Sequence, residues 1–314
     1  MRAAVVLALA GCGSSSATTQ PVDAYIDLDA PAHPGAGPGG GLLDTLDFAV
    51  VGDSRPANID DTANYPGAVV QQIFSDVEAE VPHPAFAVTT GDYMFASTGG
   101  LQAAPQLGVY LGARAAYSGE VYPTMGNHEC TGYTDSNCGP GGSDGDTENY
   151  QQYMAKLVAP IGETRPWFIE HVAATDGSWS AKLVFIAGNA WNQTEAAWLD
   201  LALAEPSTYT FAVRHEPHYS TTAPGVNPST ELLAKHPFTL LLTGHTHSYA
   251  HVAAYKEIIV GNGGAPPNTG TNYGYVIVAR QPDGTLQVTS YDYASHAIVD
   301  QFAINPDGSP VVAN

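Results

Sequence analysis

Residues 238–247 read FTLLLTGHTH, an apolar run that passes directly into a glycine and two histidines. Four other segments repeat this pattern of an apolar run followed by a polar junction: 48–53 (FAVVGD), 86–92 (FAVTTGD), 121–128 (VYPTMGNH) and 211–215 (FAVRH). Continuous apolar runs of this length are typical of strands buried on both faces. Helical segments are predicted between the strands, near 65–80, 100–116, 146–158, 193–204 and 229–236. Strands that alternate with helices predict an α/β fold.

The later apolar runs have no long helical segments between them. They lie at 256–261, 273–279, 285–291 and 297–303. Short strands at close spacing predict an antiparallel meander added to the sheet. The sequence shows no internal repeat, so we predict one domain over 47–305 and a short C-terminal tail over 306–314.

The composition is strongly acidic. The 314 residues include 31 Asp and Glu but only 10 Lys and Arg, which gives a formal net charge of −21. Such a surface repels nucleic acid backbones, so nucleic acid is not an expected partner. It also repels anionic substrates, so any phosphate chemistry requires a locally positive centre, for which a metal ion is the natural source.

The N-terminus reads as an export signal. Met1 and Arg2 precede an apolar run over 3–10, and Leu9-Ala10-Gly11-Cys12 resembles a bacterial lipobox. The run is too short to span a bilayer. We therefore predict a lipoprotein signal peptide over 1–12, a Ser/Pro/Gly-rich linker over 13–46, and a location at the bacterial cell envelope with membrane contact only through a lipid on Cys12. The alternative is an Ala-rich start without a signal function.

Two further cysteines, Cys130 and Cys138, are eight positions apart in a Gly-, Ser- and Asp-rich stretch. An oxidising compartment would favour a disulfide between them. Two free thiols are the alternative.

Each of the five strand-like runs is followed by one side chain that can bind a metal ion, or by two in the case of the run before Gly244. These residues are Asp53, Asp92, Asn127, His215, His245 and His247. Ligands of open α/β sheets bind beyond the carboxyl ends of the strands, so these side chains are expected to converge. Their mixture of carboxylate, amide oxygen and imidazole suits a pair of metal ions, which a shared carboxylate can hold about 3.5–4 Å apart.

The order of these blocks resembles the calcineurin-like metallophosphoesterases. The matching blocks are Gly52-Asp53, Gly91-Asp92, Gly126-Asn127-His128-Glu129, His215 and Gly244-His245-Thr246-His247. The stretches 193–199, 215–219 and 260–264 are similar to the purple acid phosphatase branch of that superfamily. The resemblance implies a four-layer α/β/β/α sandwich with mixed sheets.

The resemblance also implies a role for each matched residue. Asp92 would bridge two metal ions, which could be Fe, Zn, Mn or Mg. Asp53 and His247 would complete the first metal site, and Asn127, His215 and His245 would complete the second. His128 would act on the phosphate or the leaving group as an acid or a hydrogen-bond donor. His218 is a further candidate for substrate contact.

The first metal site departs from the family pattern at two positions. Most members carry a metal-binding His where this chain has Arg55, and purple acid phosphatases carry a Tyr where this chain has Phe95. A guanidinium cannot bind a metal ion but can bind phosphate in a bidentate manner. Arg55 is therefore a third catalytic candidate, with a role in phosphate binding.

The function implied by the resemblance is hydrolysis of a small-molecule phosphoester, with phosphomonoesters preferred, by a metal-bound hydroxide at a dinuclear site. One alternative is a phosphodiesterase of the same superfamily. The other is a non-catalytic surface binding protein whose first metal site has degenerated. The sequence carries no signal of the oligomeric state.

Overall fold

The computed structural model describes residues 41–312. The predicted signal peptide, Cys12 and most of the predicted linker lie outside the described residues, so export and lipid anchoring stay predictions. Within residues 41–312, no helix is both long enough and apolar enough to span a bilayer.

Strands and helices alternate along most of the described chain. The strands are β1 (Leu42–Leu43), β2 (Asp47–Val51), β3 (Phe86–Thr89), β4 (Glu120–Pro123), β5 (Phe168–Ala174), β6 (Ser180–Ile186), β7 (Tyr209–Arg214), β8 (Leu240–Thr243), β9 (Tyr249–Val252), β10 (Glu257–Val260), β11 (Gly274–Arg280), β12 (Leu286–Asp292) and β13 (Ile298–Ile304). The α-helices are α1 (Gly67–Ala79), α2 (Ala103–Arg114), α3 (Glu148–Tyr153), α4 (Gln193–Ala204) and α5 (Val226–Leu233). A short π-helix, Met154–Val158, continues α3, so the helix predicted over 146–158 changes its hydrogen bonding halfway.

The strands form two mixed sheets. The six-stranded sheet has the order β13-β12-β11-β2-β3-β4, in which β2, β3 and β4 are parallel. The seven-stranded sheet has the order β1-β5-β6-β7-β8-β10-β9, in which β6, β7, β8 and β10 are parallel. The predicted α/β class with mixed sheets is confirmed.

A hydrophobic core lies between the two sheets. Phe48 of β2 packs its ring against Phe86 of β3 and, edge to face, against Phe211 of β7, with centroids 5.1 and 5.0 Å apart. The alternate residues of the same strands, such as Ala49 and Val51 of β2, join a second cluster that includes buried residues of the helices. Strands buried on both faces explain why the apolar runs are continuous rather than alternating.

Two features of the strands differ from the sequence predictions. The spacing of the apolar runs predicts that 256–261 belongs to the meander, but β10 pairs in parallel with β8 in the other sheet, and only β11, β12 and β13 form the meander. The β5–β6 hairpin has no counterpart among the predicted strands. Strand pairing depends on which face each run buries, and a single apolar run does not specify its neighbour.

Residues just outside the predicted domain bounds of 47–305 also contact the domain. Leu42–Leu43 pairs with β5, and Leu43 and Leu46 are buried, although both lie in the predicted linker. In the predicted tail, the carbonyl of Pro306 accepts a hydrogen bond from the Thr239 hydroxyl. Residues on both sides of 47–305 therefore contact the same domain.

Candidate metal centre

The ends of five parallel strands from both sheets meet at one point. Asp92 follows β3 of the six-stranded sheet, whereas His215 and His245 follow β7 and β8 of the seven-stranded sheet. His215 Nε2 lies 3.2 Å from Asp92 Oδ1 and 3.2 Å from His245 Nδ1. Asn127, which follows β4, places its Oδ1 3.2 Å from His245 Nδ1. Ligand atoms about 2.0–2.2 Å from one ion lie about 3 Å from each other, so this set fits a metal ion.

Asp53, which follows β2, adds a buried carboxylate to this group. One oxygen of Asp53, one of Asp92 and one ring nitrogen of His215 lie within 4.8 Å of each other. Asp53 Oδ2 accepts a hydrogen bond of 2.8 Å from the backbone N–H of His245. Asp53 Oδ1 is buried and has no hydrogen-bond donor among the described residues. A bound cation would satisfy this oxygen, because buried polar atoms rarely remain unpaired.

The ring of His215 is held in the orientation that a metal ligand needs. Its Nδ1 lies 2.7 Å from the carbonyl oxygen of Thr90, so Nδ1 carries the proton and donates it. Nε2 is then free to act as a ligand, an arrangement common among metal-binding histidines. Thr90 contributes only a backbone carbonyl, which explains why its side chain type gave no signal in the sequence.

The backbone at the strand ends is turned sharply to aim the ligands inward. Asp53, Asp92, His245 and His247 have φ of 56°, 60°, 71° and 49°, in the left-handed region that side chains other than glycine rarely adopt. Such backbone conformations cluster at functional sites. At Gly91, which has φ 105°, a Cβ would lie 2.7 Å from His215 Nδ1, so only glycine allows this close approach.

The buried carboxylates of Asp53 and Asp92 are stabilised by nearby positive charge. Burial raises the pKa of Asp53 well above its usual value, and the neighbouring Asp92 raises it further, while His215 opposes the rise. Burial also acts to raise the pKa of Asp92, but His215 and His128 outweigh it and hold that pKa well below its usual value. Two buried carboxylates this close share positive charge from whatever source is present, whether a proton, an imidazolium or a metal ion.

Arg55 and His247 lie on the Asp53 side of the group. His247 Nε2 is 3.7 Å from Asp53 Oδ1 and 3.2 Å from Arg55 Nη2. Arg55 Nε is 3.5 Å from Asp92 Oδ2. The structure thus brings all six predicted metal ligands together, and it places the guanidinium among those of the first site.

His128 lies beside the carboxylate of Asp92. Its backbone N–H donates to Asp92 Oδ1 at 3.2 Å, and its Nε2 is 3.7 Å from Asp92 Oδ2. Burial lowers the pKa of His128 to about 3, although the charge of Asp92 acts in the opposite direction. His128 is therefore neutral at pH 7, and a neutral imidazole has one N–H to donate.

His218 has different neighbours. Its Nδ1 is 2.5 Å from Glu257 Oε2, and its ring stacks on Tyr255 with centroids 3.4 Å apart. The backbone N–H of His218 also donates to Glu257 Oε1 at 3.1 Å. These contacts hold His218 against β10 and not against the six ligands, so its role in substrate contact remains a prediction.

Glu129 is a supporting residue whose role the sequence patterns do not predict. Its buried carboxylate accepts hydrogen bonds from the backbone N–H groups of Asp92, Tyr93 and Gly126, at 2.8, 2.9 and 2.9 Å. These bonds fix the turn after β3 to the turn after β4, and so position Asp92 relative to Asn127. The one signal in the sequence is its place as the last residue of the Gly126-Asn127-His128-Glu129 block.

A disulfide encloses the segment that follows this block. Cys130 and Cys138 are bonded, with Cα atoms 5.5 Å apart. The expected disulfide is therefore formed, and the alternative of two free thiols does not hold. Because Cys130 follows Glu129 directly, the bridge restrains the loop next to His128.

The chain belongs to the calcineurin-like phosphoesterases, because the model of that family matches residues 46–249. The match ends just after the last of the ligands described above. No curated protein matches the chain. The predicted four-layer arrangement is that of this family.

Solved structures extend the resemblance at the level of the fold. A purple acid phosphatase from yellow lupin (Lupinus luteus) seeds has a TM-score of 0.57 and 16% sequence identity. The match covers 87% of this chain but only 57% of the lupin enzyme, so this chain spans little more than half of that relative's length. A putative 5'-nucleotidase from Staphylococcus aureus is similar at a TM-score of 0.42 and 14% identity, over 86% of this chain and 55% of that one.

Proposed function

We propose that this protein is a metal-dependent hydrolase of phosphomonoesters. The observation that carries the proposal is the set of Asp92, Asn127, His215 and His245, whose neighbouring ligand atoms lie 3.2 Å apart although they come from two different sheets. A metal ion held there would polarise a phosphoryl oxygen and acidify a water molecule near neutral pH. The family resemblance implies a second metal ion beside the first.

Protein groups around the metal centre could bind and orient the phosphoryl group. Arg55 is only partly buried, with 14% of its side chain exposed, and its guanidinium provides several N–H donors for phosphate oxygens. His128 would donate its one N–H to the phosphate or to the leaving oxygen. Arg55 supplies positive charge and both residues supply hydrogen-bond donors, which an anionic substrate requires in a protein of net charge −21.

A comparison of two chromogenic esters tests the proposal. The purified protein would be loaded with Mn²⁺, Zn²⁺ or Fe²⁺ and assayed with p-nitrophenyl phosphate and with bis-p-nitrophenyl phosphate. We expect faster hydrolysis of the monoester. Its phosphate carries a second negative charge that the diester lacks, so one charge can face the metal ion and the other can face Arg55.

The matched control is His215→Ala, which removes a buried ligand. We expect it to lose both metal and activity. Preferential hydrolysis of the diester would support the phosphodiesterase alternative. Binding of inorganic phosphate without turnover of either ester would support the non-catalytic alternative and contradict the proposal.

A further inference from the structure

The guanidinium of Arg55 contacts two of the side chains that are predicted to hold a first metal ion. Its Nη2 is 3.2 Å from His247 Nε2, the predicted ligand atom of the first site. Its Nε is 3.5 Å from Asp92 Oδ2, on the carboxylate predicted to bridge the two ions. An ion shared by these two atoms would have to lie about 2.0–2.2 Å from each, in the region that the guanidinium already fills.

The ring of His247 is arranged to accept a hydrogen bond from Arg55. Its Nδ1 lies 3.0 Å from the carbonyl oxygen of Pro266, so Nδ1 carries the proton. Nε2 therefore presents its lone pair, and guanidinium nitrogens are donors only. The lone pair that would bind a metal ion is directed instead at Arg55 Nη2.

Phe95 and the local backbone fix the guanidinium in this position. Arg55 Cζ lies 4.7 Å from the centroid of the Phe95 ring, within the range of a cation–π contact. Arg55 Nη1 donates a hydrogen bond of 3.0 Å to the carbonyl oxygen of Pro56. The two residues at which the chain departs from the family pattern, Arg55 and Phe95, are thus in contact with each other.

The charge of Arg55 also opposes the binding of a first metal ion. The guanidinium is permanently positive, so a metal ion beside it would meet a like charge in a largely buried site. The remaining carboxylate, Asp53, can serve the other ion, because Asp53, Asp92 and His215 place one ligand atom each within 4.8 Å of the others.

We propose that Arg55 replaces the first metal ion, so that the protein binds one ion per chain, held by Asp92, Asn127, His215 and His245 with Asp53 beside them. A phosphate group would then bind between one metal ion and one guanidinium. The inference rests on the metal site of the proposed function, and it replaces the predicted pair of ions.

The test is a count of bound metal ions. Wild-type protein, Arg55→His and Arg55→Lys would be saturated with Mn²⁺, freed of excess by gel filtration, and analysed by inductively coupled plasma mass spectrometry. We expect about one ion per chain in the wild type and in Arg55→Lys, which keeps the positive charge. Arg55→His removes that charge and supplies the usual ligand, so we expect about two ions, with the electron paramagnetic resonance signal of a coupled Mn²⁺ pair.

Arg165→Ala is the control for loss of a surface arginine, since Arg165 stacks on Trp167 and not on the ligands. It should bind one ion. Two ions in the wild type or in Arg55→Lys would overturn the inference, as would a single ion in folded Arg55→His. The count does not depend on turnover, so a protein that binds one ion but hydrolyses neither ester would contradict the proposed function while supporting the inference. A wild-type protein that binds no ion would contradict both.

Discussion

His128 lies at the centre but is not one of the six predicted metal ligands. Its ring lies edge-on to Phe95, with centroids 4.5 Å apart, and its Nε2 is turned towards Asp92. The positive φ of Asp53 and Asp92 sets the direction of their side chains. The ring of His128 is positioned instead by its packing against Phe95. Substitutions at His128 should therefore separate catalysis from metal binding.

We expect His128→Ala to lower kcat by about 10²–10³-fold, the usual effect of removing one hydrogen bond to developing charge. Metal content should stay at the wild-type value, because no ligand atom is lost. His128→Asn retains an N–H donor and should recover part of the activity. The measurements are steady-state kinetics and metal analysis of the same samples. Loss of the metal from His128→Ala would mean that this residue is a ligand after all.

At the scale of the secondary-structure elements, β5 carries an unusual residue. Its buried face includes Phe168 and Val172 of the core between the sheets, and Glu170 lies on the same face with only 2% of its surface exposed. Burial raises the pKa of Glu170 to about 9, and the nearby Glu163 and Glu120 add to the rise. The folded protein therefore keeps a proton on Glu170 that the unfolded chain releases above about pH 4.3.

This difference makes stability depend on pH. The folded state binds more protons than the unfolded state between about pH 4.3 and 9, so the free energy of unfolding falls as the pH rises through this window. Glu170→Gln has no proton to lose. We expect it to be more stable than the wild type at pH 8, by up to about 5 kcal/mol, with little difference at pH 4.

Thermal denaturation at pH 4, 6 and 8 would measure the effect, with Glu231→Gln on the exposed face of α5 as the control. Equal pH dependence in the wild type and Glu170→Gln would show that Glu170 is charged in the folded protein.

At the scale of the whole molecule, the candidate metal centre lies where the two sheets meet. Asp92 and Asn127 follow strands of the six-stranded sheet, and His215 and His245 follow strands of the seven-stranded sheet. A bound ion would add a link between strand ends that the core and the hydrogen bonds His215–Thr90 and His245–Asp53 already join. Ligands that bind only the folded state stabilise it by mass action.

We expect a chelator to lower the melting temperature by several degrees. Metal at 100 times its dissociation constant contributes about 2.7 kcal/mol, and about 1 kcal/mol shifts the Tm of a domain of this size by about 2–4 °C. Differential scanning calorimetry with and without EDTA measures the shift, and added Mn²⁺ should reverse it. His215→Ala should show no response to EDTA. An unchanged Tm in the wild type would contradict the cross-link between the sheets.

The sequence by itself determined the strand ends and which predicted ligands follow them. Each apolar run is followed by a glycine or, in one case, by His215, and this change marks the end of the strand. The pattern is visible within a few residues of sequence. The carboxyl ends of parallel strands gather at one edge, so the order of strands and helices along the chain is enough to predict that the six ligands meet. The helices between the strands followed from the same local pattern.

Only the tertiary structure decided the pairing of β10 with β8, the hydrogen bonds of Glu129 and the burial of Glu170. It also decided that Arg55 meets His247, a residue 192 positions away, in the space of the first metal site. The physical reason is that such contacts depend on how two sheets pack, and on the charges that packing brings together. A local sequence pattern specifies which side chains leave a strand, but not which partner they meet.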